Sequence, residues 1–189
     1  MYKLKVISST VRPGRKGPIV AKWITEVAKD HGFEVELLDL GEINLPLMNE
    51  AIHPTMRQYE HEHTKKWSAK IEEADAFIFV TAEYDYSYPA SLKNALEYLV
   101  HEWAYKPAGI VSYSAGSFAG VRAVMSLKSD LLSLKTISLH EMINIPILHQ
   151  FINEENEFVA DEKLNKAATL MLDQLLRWTK GLQIVKENK

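Results

Sequence analysis

The residues best suited to chemistry lie in three short polar stretches, each following an apolar run. The first is Ser8-Ser9-Thr10-Val11-Arg12-Pro13-Gly14-Arg15-Lys16-Gly17-Pro18, which comes after the run at 4–7. It offers hydroxyls at 8, 9 and 10, cations at Arg12, Arg15 and Lys16, and glycines at 14 and 17 that let backbone N–H groups turn outward. A helical pattern starts directly afterwards, so the positive end of a helix points the same way. This combination suits a phosphate. The competing reading is a helix-capping loop with solvated charges, and cations set beside hydroxyls favour the phosphate. The pattern G-x-x-x-x-G-K-[ST] is absent, which argues against a nucleoside triphosphatase.

The second stretch, Glu83-Tyr84-Asp85-Tyr86-Ser87-Tyr88, follows Ala76-Phe77-Ile78-Phe79-Val80. Its tyrosines are flat, rigid surfaces. They suit a planar ring or a neighbouring subunit, and the pattern alone leaves these two uses level. The third stretch contains Ser112-x-Ser114-x-Gly116, close to the nucleophile elbow G-x-S-x-G. A serine hydrolase would use Ser114 as nucleophile and His140 or His149 as base. The first glycine of that pattern is missing and no acid partner is evident. A loop presenting Ser114, Ala115 and Gly116 to a flat ligand therefore ranks first, a small-residue turn second and the elbow third. His61-Glu62-His63 has i, i+2 spacing, which on a helix sends the rings to different sides. With H-E-x-x-H absent, a solvated helix face is expected there and no metal site.

Elements to hold these stretches are legible from periodicity. Short apolar runs at 4–7, 35–38, 76–80, 108–113 and 136–139 read as buried strands. Helical stripes alternate with them: Val20, Ile24, Val27 and His31; Trp67, Ile71 and Ala74 within 55–74; Leu92, Leu96, Leu99 and Trp103; residues 118–134; and Leu164, Ala168, Met171, Leu175 and Trp178. The run at 142–148, broken by Pro146, reads as an edge or irregular extension. Alternation of this kind predicts a three-layer α/β/α fold around a five-stranded parallel sheet. The flavodoxin-like order 2-1-3-4-5 fits, with all three polar stretches at carboxyl ends of strands. A Rossmann dinucleotide fold is disfavoured because no G-x-G-x-x-G occurs.

Composition sets the outer limits. At 189 residues the expectation is one domain, 1–189. A net charge of -3 argues against non-specific nucleic-acid binding. Absence of cysteine excludes disulfides, thiolate nucleophiles and cysteine-held metals, and suits a cytoplasmic protein. No apolar run approaches a membrane span of roughly 20 residues, so no membrane partner is expected.

Together the three stretches resemble the NADPH-dependent FMN reductase family, which includes quinone, azo-compound and chromate reductases. The family's G-S-x-R loop, often G-S-T-R-P-G-R, is similar to Ser8-Ser9-Thr10-Val11-Arg12-Pro13-Gly14-Arg15. Its P-E-Y-N loop followed by P-x-x-L-K-N-A is similar to Ala82-Glu83-Tyr84-Asp85 and then Pro89-Ala90-Ser91-Leu92-Lys93-Asn94-Ala95, with alanine for proline and aspartate for asparagine. Its S-x-G-x-x-G-G region is similar to Ser114-Ala115-Gly116-Ser117-Phe118-Ala119-Gly120. The resemblance implies FMN as cofactor and NADPH or NADH as reductant. It would place Ser9, Arg12, Arg15, Lys16, Gly17, Pro18 and Ile19 at the phosphate, and Ala82, Glu83, Tyr84, Asp85, Ser114, Ala115 and Gly116 around the isoalloxazine. Hydride would pass from nicotinamide to flavin and on to a small-molecule acceptor, with no protein acid or base as catalytic residue. It further implies a homodimer or homotetramer, with Tyr86, Tyr88, Trp103 and Tyr105 available as anchors. A non-catalytic flavin-binding electron carrier is the alternative, and the modest net charge weighs against it.

Overall fold

The computed structural model describes residues 1–187. Six strands and six helices follow in the order β1 (Tyr2–Ser8), α1 (Gly17–Lys29), β2 (Phe33–Asp39), α2 (Leu40–Ile43), α3 (Glu62–Glu72), β3 (Ala76–Ala82), α4 (Ala90–Glu97), β4 (Pro107–Tyr113), α5 (Val121–Ser133), β5 (Ile137–Ser138), β6 (Ile143–Ile145) and α6 (Glu162–Glu187). Every strand pairing is parallel, and the order is β2-β1-β3-β4-β5 with β6 also on β4. This is the flavodoxin-like arrangement. The sheet edge differs from the expectation of one fifth strand. β5 pairs only with Pro107 and Ala108, and β6 takes over at Val111 to Tyr113. Pro146, just past β6, limits how far that edge continues.

The sheet is buried on both sides because its strands alternate between two apolar cores. Ala76, Ile78 and Val80 of β3 face Val20, Ile24, Met171 and Leu175 of α1 and α6. Phe77 and Phe79 face the other way, against Trp67 and Ile71 of α3, Leu92 and Leu96 of α4, and Val124 and Leu127 of α5. The period of two along β3 therefore assigns each residue to one helix layer.

Three expectations are corrected in this second layer. The helix expected over 55–74 begins only at Glu62, after a 3-10 turn at Pro54–Met56. His61 is the extended cap of α3 and not part of it, so the i, i+2 geometry does not apply. The His61 and His63 rings stack instead, with centroids 5.1 Å apart and planes 9° from parallel, and both face Asn49. Trp103 and Tyr88 are not surface anchors. Trp103 is wholly buried among Trp67, Phe77 and Phe79. Tyr88 is buried, and its hydroxyl donates to Asp130. Tyr105 is partly buried, under Lys135. Tyr86 alone of the four is strongly exposed.

Candidate flavin site

Parallel register brings the three polar stretches together. Ser8 of β1 pairs with Val80 of β3, and Ala82 of β3 pairs with Tyr113 of β4. The loops that follow β1, β3 and β4 therefore leave the sheet side by side at one edge, where parallel α/β sheets bind ligands.

The first loop is fixed from beneath. Ser9 is fully buried; its N–H donates to the Val80 carbonyl at 3.0 Å and its hydroxyl to Thr81 Oγ1 at 3.2 Å. Its carbonyl accepts from the Ser91 hydroxyl of α4, which ties the first loop to the segment after the second. Gly17 opens α1 where no side chain fits: a Cβ there would lie 2.3 Å from Thr10 Oγ1 and 2.8 Å from the Tyr113 hydroxyl. Glycine thus lets the start of α1 settle onto the strand ends.

The three cations diverge. Arg15 turns inward, donating to Asp39 at the end of β2 and to the Thr10 carbonyl at 3.0 Å. Lys16 reaches Asn156 at 2.7 Å. Arg12 is exposed, and its guanidinium has no hydrogen bond or ion pair among the described residues. α1 has no side-chain cap and no acid in its first turn, with proline in place of a donor near its start. A helix N-terminus without acid or cap, beside an uncommitted guanidinium, fits a phosphate.

The second loop is a tight hairpin. Tyr84 and Ser87 exchange backbone bonds of 2.8 and 2.9 Å, and both central residues have positive φ, 49° at Asp85 and 65° at Tyr86. Two positive φ values in a two-residue loop mark a type I′ turn, which favours asparagine or aspartate followed by glycine. Glu83, just before the turn, pairs with Arg122 of α5. In the third loop the Ser114 hydroxyl donates to the Gly116 carbonyl at 2.8 Å, and no histidine among the described residues bonds it. That is a turn contact and not a nucleophile–base pair. Ser114 N–H donates to the carbonyl of Ile145 at the end of β6, and Leu148 N–H, just beyond β6, donates to the Ser114 carbonyl.

Sequence reasoning missed Arg122, Asp39 and Ser91. Arg122 carried a signal, being a cation in the first turn of a helix, where the dipole opposes it and an acid partner is needed. Asp39 was the one acid after the apolar pair Leu37-Leu38. Ser91 carried none, since its partner is a backbone carbonyl.

The described residues form no group of three or more metal-ligating side chains, and no helix among them is long and apolar enough to cross a membrane. Residues 2–150 match the family described as NADPH-dependent FMN reductase. An NAD(P)H-dependent FMN reductase of Schizosaccharomyces pombe is 43% identical over 129 residues, which cover 67% of this chain and 64% of that protein. An NADPH azoreductase of a Bacillus strain is 28% identical over 189 residues, covering 99% of this chain and 96% of its own length. In fold, the chain superposes on FerB, a flavoenzyme NAD(P)H:(acceptor) oxidoreductase of Paracoccus denitrificans, with a TM-score of 0.79 at 24% identity, covering 96% and 98% of the two chains. The chain belongs to the NADPH-dependent FMN reductase family.

Proposed function

We propose that this chain acts as one FMN-binding domain that oxidises NADPH or NADH and reduces a small acceptor: a quinone, a flavin, an azo compound or a metal oxyanion. The observation that carries this reading is the meeting of three loops at adjacent strand ends, one with an uncommitted guanidinium at an uncapped helix and two with backbone suited to a flat ring. When bound, the flavin supplies the hydride chemistry, and the protein supplies binding, orientation and electrostatics.

Arg12 and the first turn of α1, residues 17–19, hold the phosphate. The side chains of Ser9, Arg15 and Lys16 bond within the chain. Ser9 and Arg15 contribute by fixing the loop, so that its N–H groups and Arg12 converge. Residues 82–85 and 114–116 flank the ring through backbone groups; in that role the carboxylate of Asp85 offers acceptors only. A second copy of the chain seats against exposed Tyr86, Phe118, Val121 and Met125, which border the second and third loops. Anaerobic titration of FMN-reconstituted protein with NADPH and NADH tests the reading. Bleaching of the oxidised flavin absorption is expected, and a protein that takes up no FMN, or whose flavin neither nicotinamide reduces, overturns it.

A further inference from the structure

One side chain joins the second and third loops. Arg122 donates from Nε to Glu83 Oε1 at 2.7 Å and its Nη2 lies 2.5 Å from the same oxygen, while its backbone N–H donates to Glu83 Oε2 at 3.2 Å. Its guanidinium carbon lies 4.0 Å from the Tyr86 ring centroid and 4.7 Å from that of Phe118, so an arginine is gripped by an acid and two aromatic faces. The Glu83 side chain is only 8% exposed, and Arg122 is the ion-pair partner that the structure gives it. What the cluster holds is a disfavoured conformation. Tyr86 occupies the second central position of the type I′ turn at φ 65°, where glycine is preferred and a bulky side chain is rare. Tyr86 is also 68% exposed, so core packing does not fix it; its ring lies against the Arg122 guanidinium, above a turn closed by the Tyr84–Ser87 backbone bonds.

We infer that Arg122 is the positioning residue of the flavin-ring site, an inference that rests on the FMN reading above. Through Glu83 and Tyr86 it sets the 84–87 turn before the ring arrives, so that the backbone beside the ring is already in place. It also neutralises Glu83, so that this buried carboxylate adds no uncompensated negative charge to that of Asp85 beside a ring that gains electrons. Loss of the arginine has two separable consequences: a looser turn, which weakens flavin binding, and an unpaired carboxylate, which makes reduction harder.

The test uses Arg122→Met, Arg122→Lys and the double variant Glu83→Gln/Arg122→Met. Each is titrated with FMN and with riboflavin by flavin fluorescence, and the midpoint potential of bound FMN is measured against reference dyes. Arg122→Met is expected to weaken both flavins by the same factor, about tenfold, since the lost contacts lie at the ring and not the phosphate. Its potential shifts negative. Arg122→Lys keeps the charge but loses the fork and the stacking face, so the potential returns toward wild type while both affinities stay low. The double variant recovers the potential and not the affinity. If circular dichroism shows Arg122→Met unfolded, Arg122→Lys carries the test through its equal loss of both flavins. Wild-type protein that binds neither flavin overturns the FMN reading and this inference with it. Wild type that binds both, beside Arg122 variants of unaltered affinity and potential, overturns the positioning role alone. Loss of FMN with riboflavin untouched also overturns it, by placing Arg122 at the phosphate.

Discussion

The two ends of the sheet carry similar charged residues and differ in how fully they use them within the chain. Toward the end where the strands begin, Lys5 of β1 has a side chain only 5% exposed and binds both Glu36 and Glu73. Lys70 reaches Glu36 at 2.5 Å and Lys3 reaches Glu73 at 3.3 Å, closing a network across β1, β2 and the end of α3. Lys106 donates to the carbonyls of Ile71 and Glu72 at 2.6 and 2.9 Å, where a helix C-terminus favours a cation. Glu102, buried, accepts from Tyr59 at 2.8 Å and Ser68 at 2.7 Å. At the end where the strands finish, Arg12 is uncommitted, Tyr86 and Phe118 stand exposed, and a hairpin runs through two positive φ values. One end commits its charges to holding the chain together. The other also ties Arg15 to Asp39 and Arg122 to Glu83, but it leaves Arg12 and exposed aromatic surface for something outside the chain, which is what separates a site from an ordinary polar edge.

Substitution of Arg12 should give the largest effect and should show itself in ligand affinity. Hydrogen bonds to charged groups contribute roughly 1.5–3 kcal/mol, or about one to two decades in affinity. Arg12→Ala is expected to weaken FMN by about that much and leave riboflavin, which lacks the phosphate, unchanged. The thermal midpoint should not move, because the guanidinium has no hydrogen bond or ion pair among the described residues. Equal losses for the two flavins would place Arg12 at the ring or in the fold, and the contrast between the two ends would fail.

Lys5→Met is the mirror experiment, with an intermediate effect expected on stability alone. It leaves Glu36 and Glu73 without their shared cation; both carboxylates are 37% exposed, so solvent screens them and the loss should be about 1–2 kcal/mol. The Lys5 hydrogen bond is the chief influence on Glu73 and lowers its pKa. Burial opposes ionisation of Glu36, but the bonds from Lys5 and Lys70 outweigh it and its pKa also falls. Carboxylates held below their ordinary value of 4.5 add stability above that value and lose it as pH falls through the folded value. Urea midpoints should therefore separate wild type and variant near neutral pH and converge in acid, while flavin affinity stays constant. A gap that persists in acid would show that packing, and not the ion network, is what Lys5 supplies.

The same contrast explains how much the sequence disclosed. The buried parallel sheet was legible because β3 and β4 are apolar on both faces and the stripes of α1, α4 and α6 recur at helical spacing. Fold information of that kind lies in periodicity. The start of α3 was not legible, because His61 caps the helix through backbone geometry that no spacing announces. Trp103 and Tyr88 were misplaced for a related reason: an aromatic next to a helix can turn in or out, and long-range contacts decide it, the Trp67–Phe77–Phe79 cluster for Trp103 and Asp130 for Tyr88. At the site end, residue types pointed to phosphate and ring loops, but which cation stays uncommitted depends on Asp39 and Asn156, distant in sequence from Arg15 and Lys16.

Near neutral pH the smallest effect belongs to Tyr113, at the seam between the two regions, where the last residue of β4 supports the first loop. Its hydroxyl lies 3.4 Å from Thr10 Oγ1, a weak hydrogen bond, and the residue is 6% exposed. Tyr113→Phe should therefore cost less than about 1 kcal/mol near neutral pH. Burial pushes the Tyr113 pKa up to about 12 from an ordinary value of 10.0; the Thr10 hydrogen bond opposes this, as does the Arg15 charge, while Tyr84 and Asp39 reinforce it. A raised pKa means that the native chain resists losing this proton while the unfolded chain gives it up near 10. The stabilisation is complete below the unfolded value and is lost as pH rises through about 12. Phenylalanine has no proton to lose. The stability gap between wild type and Tyr113→Phe should hence narrow above about pH 10 and reverse by about pH 11–12, with an upper limit near 2.7 kcal/mol for a shift of about two pH units. Urea unfolding of both proteins at neutral pH and at about pH 11 reads this directly. Parallel loss of stability in the two proteins over that range would mean that Tyr113 ionises freely when folded, and that water reaches the underside of the first loop.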